Sequence, residues 1–209
     1  MIMRERFNDI TAKPDAPFLG GSFYIGSLCL AADAAMGNVS FKDGDAVNAF
    51  QAFMTELEKM KRYGFTEGEV KRATENILSS YDKAVEAAST RKNADLVPAL
   101  QKNFYDNKPY MDPETEAMIG KQICSMMSAP LLSQVASQFI PEENLLILYT
   151  GPEKAGLVNP TEAELLGVLE SVKNADIQAN EEDNLDEPLI SEELKGSPVV
   201  KEKAGIHGS

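Results

Sequence analysis

Protein chemistry at neutral pH leans on histidine, on a reactive cysteine, or on a carboxylate whose surroundings move its pKa. This chain of 209 residues has one histidine, His207, close to its C-terminus. A zinc site needs several His, Cys or carboxylate ligands converging on one point. A Ser-His-Asp or Cys-His relay needs its histidine inside the fold. One histidine in a C-terminal tail argues against both in the folded part. The two cysteines, Cys29 and Cys124, are too few for a disulfide framework and too far apart for a Cys-x-x-Cys pair. The burial habit of free thiols makes both expected core residues. Carboxylates are plentiful, but Glu67, Glu69 and Glu75 fall at a helix start or on a polar face, where capping and solvation are the expected roles. The glycines of LGGSF, 19–23, form no phosphate-binding motif and lead into no clear helix. No position is assigned a catalytic, cofactor-binding or metal-ligating role.

The elements around these residues are more legible. Ile2, Met3, Arg6 and Phe7 are spaced along one edge of a helix over 1–12, which Pro14 and Pro17 stop. That helix has no N-cap or lead-in, so it is expected to begin before Met1 and to pack incompletely. Residues 22–30 and 33–41 are predicted to be two antiparallel strands. Val47, Phe50, Phe53, Met54, Leu57 and Met60 make the apolar stripe of a helix over 45–62, which Gly64 ends in a left-handed conformation. Thr66 and Glu69 form a capping box for the next helix. That helix carries Val70, Ala73, Ile77, Tyr81 and Val85 on one face and is expected to lie across a sheet as far as about residue 91. Further helices are predicted over 95–106, with Pro98 in the first turn, over 113–126 behind Asp112-Pro113, after Ser128, and over 162–173 behind a second capping box, Thr161 with Glu164. Leu145–Tyr149 is predicted to be a buried strand.

Composition excludes several functions. The net charge is −13, with no Lys/Arg cluster to offset it, so nucleic-acid phosphate is an unfavourable partner. No apolar run approaches the roughly 20 residues of a membrane span. MIMRERFNDI lacks an apolar stretch of signal-peptide type, so any export signal is expected outside this chain. From Asp176 to Glu193 there are eight acidic residues and no basic one, which marks 176–209 as an acidic flexible linker or tail after a domain over 1–175.

The order of pieces carries a resemblance. A helix with M-x-x-R leads to DAPF, a strand pair, GFTEGEVKRA, then FIPEENLLILYTGPEKAG and PTEAELL. This resembles the pitrilysin/insulinase family of zinc metallopeptidases, which includes the mitochondrial processing peptidases. It is most similar to long bacterial members with four homologous domains. The resemblance covers roughly residues 3–190 and implies an α+β fold, a two-layer α/β sandwich with a small, largely antiparallel sheet covered by helices. It implies the back part of a noncatalytic second domain, N-terminally truncated. The family's catalytic motif, His-x-x-Glu-His with a downstream Glu, is not in this chain, so zinc is expected only in the parent's catalytic domain. The implied partners are the other domains of that parent and peptide substrates held in a chamber. The implied compartment is the periplasm or cell envelope. A different class of function is a self-standing acidic domain that binds a protein partner; a complete gene starting at Met1 would favour it.

Overall fold

An 18-residue helix made apolar on two sides is the axis of the molecule. In the computed structural model, which describes residues 1–29, 31–138 and 144–181, this helix is α2, Ala46–Tyr63. Before it come α1 (Ile2–Thr11), β1 (Gly20–Cys29) and β2 (Ala32–Ser40). After it come α3 (Glu67–Glu86), a 3-10 turn over Ala88–Thr90, α4 (Asn93–Asp106), α5 (Pro113–Ser125), α6 (Ala129–Gln138) and α7 (Glu162–Asn174). The fold is α+β, a small antiparallel sheet with helices packed on it.

The two sides of α2 build two cores. Ala49, Phe53, Leu57 and Met60 face Met3, Phe7, Phe18 and Ala136. Phe7 stacks on Phe53 with ring centres 5.0 Å apart and meets Phe18 edge-on at 6.1 Å. Val47, Phe50 and Met54 pack instead on Val168, Val172 and Ile177 from α7 and the residues after it. Full burial of one such side chain contributes about 1.5–3 kcal/mol, so these clusters carry much of the fold. A third cluster joins Ile2 of α1, Val70 and Ala73 of α3 and Ala129 of α6.

β1 and β2 pair antiparallel from Gly20–Ser40 to Cys29–Ala32, with an irregularity between Ser27 and Cys29. The base of this hairpin is packed, since Phe23 and Val39 lie against the first core. Beyond Phe23 the ribbon leaves the helices, and Tyr24, Ile25 and Leu28 are exposed.

Several expectations change in the structure. The expected edge of the first helix is packed, with Ile2, Met3, Arg6 and Phe7 all buried. Leu145–Tyr149 joins no strand; a run of apolar residues becomes one only where a neighbouring backbone supplies ladder hydrogen bonds. Leu146 and Leu148 stay 87% and 82% exposed, while Tyr149 stacks on Phe41 at 5.9 Å. α3 packs against α1 and α5, not across the sheet. Gly120 makes the α5 contact possible, because a Cβ there would fall 2.2 Å from the Tyr81 ring. α4 starts two residues earlier than expected, so Pro98 lies beyond the first turn. Cys124 is buried as expected, but Cys29 is exposed near the hairpin tip.

The junction between α2 and α3 is the tightest point. Gly64 has φ +69° and ψ −134°, so φ is positive as its role requires, but ψ lies outside the left-handed helical region. Glycine alone adopts this conformation without strain. A Cβ here would also sit 2.0 Å from Ser133 Oγ of α6. Gly64→Ala is therefore expected to destabilise the protein by about 3 kcal/mol or more through strain and overlap together. Gly26, whose Cβ position is open, gives the control: Gly26→Ala should change stability by less than about 0.5 kcal/mol. Denaturant unfolding of both variants checks the contrast.

Candidate functional site

The charged centre of the molecule is a pair that the sequence does not announce. Arg6 sits on the apolar edge of α1, and it is 7% exposed. Its Nε donates to Glu69 Oε1 at 2.6 Å and its Nη2 to Glu69 Oε2 at 2.8 Å. Nη2 also donates to the Gly64 carbonyl at 2.9 Å, and the guanidinium lies 5.3 Å over the Phe65 ring. Nη1 is buried with no hydrogen-bond partner among the described residues. Glu69 does a second job in the expected capping box: it accepts from the Thr66 amide at 2.8 Å, while the Thr66 hydroxyl accepts from the Glu69 amide at 3.2 Å. Phe65 N–H donates to Ser133 Oγ at 3.0 Å. Six consecutive residues, 64–69, thus hold α1, α2, α3 and α6 together.

Such a pair can position elements; it offers no proton in transit and no open face for a substrate. Burial pushes the Glu69 carboxyl upward, but the Arg6 hydrogen bonds, the Thr66 amide and the nearby Arg6 and Arg72 charges outweigh that and hold it below its usual 4.5. The folded protein therefore makes Glu69 the stronger acid. Its contribution to stability is complete above the unfolded value and is lost as pH falls through the lower folded value. Asp112 and Glu164, each lowered first by a capping amide, act in the same direction. Melting temperature is expected to hold between pH 7 and about 5 with respect to these groups and to fall below about 4.5. Glu69→Gln should flatten part of that fall, and Arg6→Met, which leaves a buried carboxylate unpaired, should cost about 3–5 kcal/mol at pH 7. A melting profile of Glu69→Gln parallel to that of the parent protein would contradict this.

A neighbouring clasp closes α7. Arg62 Nη1 donates to the Ala175 carbonyl at 2.8 Å, and Nη2 donates to those of Val172 and Lys173 at 3.2 and 2.7 Å. Glu58 orients the same guanidinium through Nε at 2.7 Å. Tyr63 adds a hydroxyl donation to the Ile177 carbonyl at 2.6 Å. The last carbonyls of a helix have no partner within it, and a cation there also meets the negative end of the helix dipole. Arg62→Ala is expected to loosen the end of α7 by about 1.5–3 kcal/mol. Limited proteolysis should then cut near 173–177 several-fold faster, with α2 intact.

The residues singled out for chemistry do not meet. Glu67 and Glu75 lie apart from the buried pair, Cys29 and Cys124 lie on different elements, and His207 lies outside the described residues. Among the described residues no three His, Cys, Asp or Glu side chains are grouped to hold a metal ion. Two hollows stand out. One, of about 500 Å³, is lined by Leu145, Leu146, Ile147, Tyr149, Leu165 and Leu166 among others. The other, of about 450 Å³, lies between Ile10, Pro17 and the Gln51–Thr55 side of α2. Neither gathers converging ionisable groups. The signal for Arg6 was present, since a cation occupied a helical apolar position, but its partner was 63 residues away.

This arrangement of helices on a small hairpin occurs in solved proteases. The chain matches the periplasmic protease PqqL from Escherichia coli with a TM-score of 0.70 at 16% identity, covering 98% of this chain and 23% of PqqL. Against the first half of PqqL the TM-score is 0.68 at 17% identity, covering 86% of this chain and 39% of that one. The ferredoxin protease FusC, solved in complex with Arabidopsis ferredoxin, matches with a TM-score of 0.64 at 17% identity, covering 94% of this chain and 22% of FusC. The chain thus corresponds to a minor part of either protease, and the likeness is one of fold. No protein-family model and no curated protein matches it.

Proposed function

We propose that this chain is a noncatalytic structural and substrate-chamber domain of a bacterial multidomain zinc metallopeptidase of the pitrilysin/insulinase type, working in the periplasm. The observation that carries this reading is the fold match to segments of PqqL and FusC, at TM-scores from 0.64 to 0.70. Its buried centre also suits the role, because Arg6 and Glu69 spend their charges on each other and on holding helices together. In this reading the zinc and its hydrolytic chemistry belong to another domain of the parent, which also supplies this domain's partners. The larger share of the chain matched in whole PqqL than in its first half favours a chain that runs out of the first half toward the second. Residues 176–209 would then form the acidic connection, anchored near its start by Ile177, which is 6% exposed. None of the described helices is long and apolar enough to cross a membrane.

Elemental analysis and peptide hydrolysis test the proposal. The purified chain is expected to hold far less than one zinc and to leave a quenched fluorescent peptide uncut. About one zinc per chain, kept in His207→Ala, would overturn the noncatalytic reading. In the parent peptidase, removing about ten residues between 182 and 195 should slow peptide hydrolysis by limiting the reach of the connection, with zinc content unchanged. Full hydrolysis across a range of peptide lengths would remove the connecting role.

A further inference from the structure

α4 is a helix that the described residues leave uncovered. None of its 14 residues is buried. Val97, Leu100 and Phe104 follow helical spacing along one side, at 48%, 51% and 78% exposure, and Tyr105 adds 71%. A free helix of this length is marginal in water, and the interior Pro98 removes one of its hydrogen bonds. Most helical stability comes from packing an amphipathic face, and here that face has no partner among the described elements.

Charge says what kind of partner fits. Residues 88–111 carry Arg91, Lys92, Lys102 and Lys108 against two carboxylates, while the rest of the chain has 16 basic and 31 acidic residues. One of those two carboxylates, Asp95, is occupied in accepting from the Lys92 amide at 3.0 Å. The four cations make no ion pair among the described residues. A net-basic stretch of an acidic protein therefore coincides with this uncovered apolar helix.

We propose that α4 docks an acidic amphipathic helix from a separate polypeptide, whose apolar stripe packs on Val97, Leu100 and Phe104 while its carboxylates meet the flanking cations. The proposal stands apart from the peptidase reading, because it concerns only this helix and its charge.

The probe is a fluorescein-labelled peptide of about 18 residues, Leu at helical spacing and Glu elsewhere; an identical peptide with Gln in place of Glu is the control. Binding is read by fluorescence anisotropy with the full chain. The Glu peptide should bind about tenfold tighter than the Gln peptide at low salt, although the whole protein repels it, and lose that advantage at high salt. Lys102→Glu with Lys108→Glu should remove the advantage while leaving the Gln peptide unaffected. Leu100→Ser with Phe104→Ser should abolish binding of both, with unchanged circular dichroism and melting temperature. Equal binding of the two peptides would overturn the proposal. So would a marked fall in melting temperature for the serine variants, which would mean the stripe packs on this chain. Tighter binding of oligothymidylate than of the Glu peptide would assign the cations to nucleic acid. A dimer dispersed by the serine variants would make a second copy the occupant.

Discussion

The joining of the first three helices depends on one buried guanidinium. Arg6 reaches from the first helix to the turn between the second and third, and there binds a carboxylate and a backbone carbonyl and lies over an aromatic ring. Taking both charges out of water is unfavourable, and their attraction offsets this only when the geometry is good and the remaining polar atoms are satisfied. Glu69 meets that condition through Thr66; Arg6 meets it except at Nη1. The gain lies in specification. A greasy interface among α1, α3 and α6 could slide by a turn, whereas a forked donor and a forked acceptor fit in one register.

α2 then distributes this order. Its two apolar sides face two clusters that share no buried residue, so the helix acts as a wall between them. Its C-terminal turn does the joining: Arg62 and Tyr63 bind the end of α7, and Gly64 begins the turn that Arg6 holds. Polar contacts concentrate at this end of the helix and apolar contacts along its length. Polar contacts set position there, and apolar burial supplies the stabilisation.

Local structure was legible where it depended on local chemistry. The Thr66–Glu69 and Thr161–Glu164 boxes and the Asp112-Pro113 start are satisfied within a few residues and appear as read, whereas the single stripe read for α2 divides between two cores. Features that depend on distant partners were not legible. Glu69 looked like a cap and is also half of a buried pair, because nothing near it in sequence shows Arg6 approaching. Leu145–Tyr149 has the composition of a strand, yet no strand among the described residues pairs with it. Cys29 followed the general burial habit of thiols until the hairpin carried it past the last helix. The position of α4 outside the described cores was not legible either, since its apolar stripe looks like any other.

The Arg62 clasp has a mechanical side. The chain leaves α7 through Ala175, and the three carbonyls that Arg62 holds there belong to Val172, Lys173 and Ala175. Tension applied along the residues that follow would reach all three bonds through one rigid planar group, so the load is shared and the bonds yield together instead of peeling singly. The same pull is delivered to Tyr63 and Gly64, the end of the helix on which both cores are built. A tug at the C-terminal side thus meets two side chains at the end of one helix, Tyr63 on the Ile177 carbonyl and then Arg62 on the three carbonyls before it, which together act as a mechanical fuse.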